Sequence, residues 1–111
     1  MERHPRLPLR REYHDAQVES FELGPRHEVQ LVVHLDPVWN DGNAGPCRLH
    51  FSTIENWDEV VARLQTAPNA LPQEAYVDEI IGIVRPEKGV VGIDFARRGY
   101  IELRGAKVQE V

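Results

Sequence analysis

Two stretches of the chain alternate apolar and polar residues over a full strand length. Between His27 and Leu35 the apolar side chains Val29, Leu31, Val33 and Leu35 fall at every second position, and Cys47, Leu49, Phe51 and Thr53 repeat the pattern up to Ile54. A period of two places each set on one face of a pleated strand. A register that sets Val33 against Phe51, Leu35 against Leu49 and Leu31 against Thr53 joins the two apolar rows. A slip of one residue would turn one row to water.

The same reading extends along the chain. Met1 to Arg11 is rich in proline and arginine without periodicity and reads as a flexible basic arm, leaving 12–111 as a single domain. Ala16 and Val18 keep one phase and Phe21 and Leu23 the other, which predicts a first strand with a bulge near Glu19 and Ser20. Gly24-Pro25-Arg26 turns it into the strand from His27. Asn56-Trp57-Asp58-Glu59 has capping-box spacing, and Trp57, Val60, Val61 and Leu64 share a helical face, so a short helix should lie on the sheet and end before Pro68. From Pro68 to Pro72 a loop is expected, then a strand from Tyr76 to Val84 with apolar residues on both phases. Val91, Ile93 and Phe95 alternate after a turn at Pro86 to Gly89. Tyr100 to Arg104 continues with Ile101 and Leu103, and Val108 and Val111 would extend that strand. The class is α+β: a mostly antiparallel sheet of about six strands, order βββαβββ, with one short helix packed on it. Val32, Ile54, Ile80 and Val84 fall on the outward phase, an apolar patch that a homodimer could cover.

Composition narrows the functional classes. With 111 residues, 41% hydrophobic and 28% charged, the chain can bury one core, and it carries no apolar run near membrane-helix length. Pro5 and Pro8 interrupt any leader-like stretch, so no secretory signal is expected. Cys47 is the single cysteine, which excludes an internal disulfide and points to the cytoplasm. Residues 1 to 11 hold four arginines against one glutamate, whereas 12 to 111 hold nine Lys or Arg against seventeen Asp or Glu. An acidic body repels phosphate backbones, so nucleic acid is not an expected partner, and neither is a membrane.

The segment Asp36 to Pro46 is the strongest loop signal. Its Asn40-Asp41-Gly42-Asn43 core tolerates left-handed backbone, and long loops between paired strands often carry binding residues. Trp39 within it would be either a lid folded onto the core or an exposed anchor for a protein partner, together with Asn40, Asp41 and Asn43. Histidines offer a second possibility. In the register above His34 and His50 are direct cross-strand neighbours, close enough to share a zinc ion with a carboxylate, though spacing specifies no third ligand. A small metal-dependent hydrolase built on them is the alternative function. No other chemistry is indicated: Cys47 falls on an apolar row, Ser20 and Ser52 lack a nucleophile elbow, and Gly89-Val-Val-Gly92 has no phosphate-binding sequel. No catalytic residue, resident metal or cofactor is assigned.

The opening Tyr13-His14-Asp15-Ala16-x-Val18, the aliphatic hairpin after it and the later Phe51-Ser52-Thr53-Ile54 resemble small bacterial domains of uncharacterised or predicted toxin-immunity type. Such domains often begin with His-Asp-Ala or His-Asp-Ser. The likeness in strand layout spans most of residues 13 to 104, and the basic arm and the Trp39 loop are not part of it. It implies a non-enzymatic binding protein. His14 and Asp15 also have a plain structural role, closing the end of a sheet and accepting turn amides, and with His34 and His50 they complete the polar groups worth locating. The expected partner is a protein, basic if it complements the acidic body.

Overall fold

A computed structural model describes residues 9–42, 45–65 and 78–111. The strands are β1 (Ala16–Gly24), β2 (Glu28–His34), β3 (Pro46–Ser52), β4 (Asp78–Val84), β5 (Val90–Phe95), β6 (Gly99–Arg104) and β7 (Lys107–Glu110), with helix α1 (Trp57–Gln65) between β3 and β4. They form one antiparallel sheet in the order β6-β5-β4-β1-β2-β3-β7, so the architecture is α+β and mostly sheet. The expected loop over Pro68 to Pro72, and Tyr76 and Val77, lie outside the described residues.

One expected strand is two. At Gly105, φ +71, the chain leaves β6 and crosses to β3, where Val108 pairs with Phe51. Since β6 and β7 are consecutive yet lie at opposite edges, the sheet must coil until its edges approach. Its inner face gathers Val29, Leu31, Val33, Leu49, Phe51, Ile80, Ile93, Phe95, Ile101 and Leu103, each 2% exposed or less.

The β2–β3 register differs from the expected one. Val29 pairs with Phe51, Leu31 with Leu49 and Val33 with Cys47. The offset keeps the same residues inside, so alternation could not discriminate between the two registers. The observed register closes a shorter loop, with Leu35 N donating to Gly45 O at 3.0 Å. Thr53 then takes φ 56, leaves the apolar row and turns Ile54 inward to 1% exposure.

Bulges set the phase elsewhere. β1 shifts between Val18 and Ser20, where the alternation breaks in the sequence. A second bulge between Ile80 and Gly82 of β4 reverses the phase. Ile80 is therefore buried, Ile83 packs on the core and Ile81 is exposed. Of the four residues expected to make an outward apolar patch, Ile54 and Ile80 belong to the core, Val32 is half-buried and Val84 is exposed.

Helix α1 buries Val60 and Leu64 and runs beside β6. The segment leading into it closes the outer edge of that strand. Glu55 N donates to Arg104 O, Asn56 Nδ2 donates to Glu102 O, Asn56 Oδ1 accepts from Arg104 N, and Arg63 donates to Tyr100 O and Arg98 O. An edge strand is thus satisfied by side chains instead of a further strand. Asn56 is not the expected capping box. Its side-chain Oδ1 serves β6, and its side-chain Nδ2 donates to Glu59 Oε2 at 3.0 Å. Among the described residues no helix is long and apolar enough to cross a membrane.

Candidate functional site

The β2–β3 loop is built before it is decorated. Asp36 folds it back by accepting Val38 N at 2.8 Å, and Pro37 O accepts Asn40 N and Gly42 N at 3.3 and 2.8 Å. The left-handed pair this requires falls on Asp41 and Gly42, φ 53 and 82, residue types that tolerate it. Asn40 is the clamp: its Oδ1 accepts Glu12 N at 3.1 Å while its Nδ2 donates to Glu12 O and Asp36 O. The connection between β2 and β3, eleven residues long, is thereby fastened to the segment that enters β1.

That segment carries His14 and Asp15. His14 Nδ1 lies 2.7 Å from Ile81 O, and because a carbonyl only accepts, this nitrogen bears the proton. Its ring meets Trp39 edge to face at 4.8 Å, and its Nε2 lies 3.6 Å from Asp15 Oδ2. The Trp39 indole N–H donates to the same oxygen at 3.1 Å. Asp15 reaches this position with φ 63, a left-handed conformation uncommon outside glycine. His14 meets a carbonyl in the middle of β4, and the Asp15 carboxylate serves an indole and not the expected turn amides.

Trp39 is therefore no lid on the core: 48% of it stays exposed, beside Val38 at 80%. Ile81, pushed outward by the β4 bulge, is 45% exposed, and its carbonyl oxygen is the one that meets His14. His14, Asp15, Trp39 and Asn40 come together, and Asp41 is exposed at the loop tip. Asn43 lies outside the described residues. Sequence reasoning missed Val38 and Ile81. The pair Val38-Trp39 in a polar loop was a readable signal, while the exposure of Ile81 depends on a bulge.

His34 and His50 do not converge. His34 sits opposite Pro46 and contacts Glu19 at 2.7 Å; His50 sits opposite Gln30, with Glu28 at 3.8 Å. The zinc pairing required the other register. Among the described residues, no three His, Cys, Asp or Glu side chains are grouped as metal ligands. His34 does line an open groove of about 610 Å³ with Glu19, Val32, Pro46, Arg48 and Val111, a surface carrying one histidine and one carboxylate.

Behind the loop lies a buried contact that sequence reasoning also missed. The Tyr13 hydroxyl donates to Glu110 Oε2 at 2.6 Å, so Cys47 Sγ, 3.2 Å away, is the donor to Tyr13. Burial first, then the contacts with Cys47 and the Glu110 carboxylate, push the phenol far above its ordinary range.

No protein-family model matches the chain, and neither does any curated protein or solved structure.

Proposed function

We propose that the chain is a non-enzymatic binding protein, of the immunity kind its opening motif resembles, that docks a basic protein through Val38, Trp39, His14 and Ile81. The observation that carries this reading is the immobilised exposure of Trp39. A half-exposed indole on a long loop would ordinarily collapse or wander. Here the loop is fixed by Asn40, the indole N–H is tied to Asp15, and about half of the residue stays exposed. An aromatic presented rigidly loses little entropy on docking, the usual property of an interface anchor. Glu12, Asp15, Asp36 and Asp41 lie on the same two segments, and the whole chain has a net charge of −5, which favours a cationic partner.

The test is comparative capture from lysate of the source organism, with the wild type, Trp39→Ala and His50→Ala immobilised side by side. A protein held by the wild type and His50→Ala, and weakened about 30-fold by Trp39→Ala, is the expected result. Its association should slow as salt is raised. Equal retention by Trp39→Ala and the wild type would remove this surface from consideration. Sedimentation of the isolated chain separates a heterologous partner from a homodimer.

A further inference from the structure

The docking loop does not stand alone; it is fastened to a strap that is itself held at the opposite end of the sequence. Backbone amides of Arg10 and Arg11 lie 2.6 and 3.3 Å from the two carboxylate oxygens of Glu110, and the Tyr13 hydroxyl lies 2.6 Å from one of them. Three donors thus converge on one side chain near the end of β7. Between Arg11 and Tyr13 sits Glu12, whose N–H and C=O are both held by Asn40. Asp15, two residues beyond Tyr13, holds the Trp39 indole.

We propose that Glu110 is a positioning residue for the docking surface: its carboxylate latches residues 10 to 13 across the end of β3, and that strap sets the pose of Trp39. The inference extends the proposed function to its control, and its readouts need no partner, so the two ideas stand or fall separately. Two further observations support a latch over a general structural role. The pairing of β7 with β3 does not use the Glu110 side chain. Val111 N donates to Arg48 O, so alternate pairs along the ladder, His50 with Gln109 and Ser52 with Lys107, carry the hydrogen bonds, and the backbone groups of Glu110 point away from β3. The strap also shields a built-in reporter. Arg10, Arg11, Cys47 and Glu110 line one groove of about 360 Å³, and Cys47, 7% exposed, sits beneath Tyr13. When the latch opens, the thiol is uncovered while the sheet remains.

The isosteric variant Glu110→Gln tests this, because an amide nitrogen opposes one set of donors that a carboxylate accepts. The rate of Cys47 alkylation by N-ethylmaleimide is measured in the full chain, with Trp39 emission followed in a Trp57→Phe background. Losing charge-assisted hydrogen bonds should raise the labelling rate about tenfold or more. The increase should be independent of low urea concentrations, the signature of local opening, with Trp39 emission shifted to the red. Tyr13→Phe, which removes one donor and keeps the ring, should give a smaller change in the same direction. Labelling of Glu110→Gln within about twofold of the wild type overturns the latch. So does labelling that rises only in step with global unfolding, as urea dependence or loss of far-ultraviolet dichroism would reveal. Faster labelling with unchanged Trp39 emission overturns the link to the docking loop.

Discussion

Among individual residues, Asp78 is where the fold concentrates electrostatic free energy. It is the buried charged residue of the described chain, 2% exposed, and both carboxylate oxygens are occupied. Oδ2 pairs with Arg98 Nη1 at 2.7 Å, and Oδ1 accepts Arg97 N and Glu79 N at 2.9 and 3.0 Å. Arg98 is further tied to Leu64 O and lies over the Phe21 ring at 5.4 Å, so one pair links β4, the β5–β6 turn, α1 and β1. Breaking a buried ion pair from one side leaves the other charge desolvated, which costs more than the pair itself contributes. Asp78→Ala should therefore lose roughly 3–5 kcal/mol in urea unfolding, and Asp78→Asn less, because an amide oxygen can still accept the two backbone amides. In the sequence, Asp78-Glu79 is indistinguishable from a solvated strand face. Asp78 lies on the inward phase with Ile80, and the partner that meets its buried charge, Arg98, is twenty residues away.

For the elements, the decisive question is how each edge of the sheet is finished. The outer edge of β6 is satisfied by residues 55 to 63, with Asn56 supplying both a donor and an acceptor. Asn56→Ala would leave Glu102 O and Arg104 N without these partners. A loss of about 1–2 kcal/mol is expected, with light scattering that grows with protein concentration as the edge becomes available for pairing. Aspartate at this position retains the acceptor and should recover part of the loss. The local spacing at Asn56 predicts a capping box, which its side chain does not form. Its true partner is about fifty residues downstream, beyond any local pattern. The two bulges illustrate the same boundary. The one in β1 breaks an alternation visible in the sequence, whereas β4 has apolar side chains on both phases, so nothing local marks the phase reversal that exposes Ile81.

On the scale of the whole molecule, the Tyr13 phenol ties stability to pH. It holds its proton more tightly folded than unfolded. Below the ordinary tyrosine value of 10.0 its contribution is intact, and above it the unfolded chain sheds a proton that the folded chain retains, so stability falls as pH rises. Urea midpoints of the wild type should drop more steeply than those of Tyr13→Phe between about pH 9 and pH 11. Tyr100 shifts in the same direction, chiefly through burial and then its bond to Glu102, and remains in both proteins as an internal reference. A parallel decline in the two proteins would show that Tyr13 ionises freely.

The sequence by itself determined the strand and helix types, the antiparallel class, the inward rows of β2, β3 and β5, and the loop that carries Trp39. These follow from periodicity and from residues that tolerate particular backbone angles, which are local properties of the chain. Tertiary structure alone decided the register between β2 and β3, the separation of β7 from β6, and the phase of β4. It also placed His34 and His50 apart and gathered His14, Asp15, Trp39 and Asn40. The two β2–β3 registers bury the same side chains, and β4 offers apolar residues on both phases, so the local pattern cannot choose between the alternatives. The choice falls to loop closure, bulges and hydrogen bonds between residues distant along the chain.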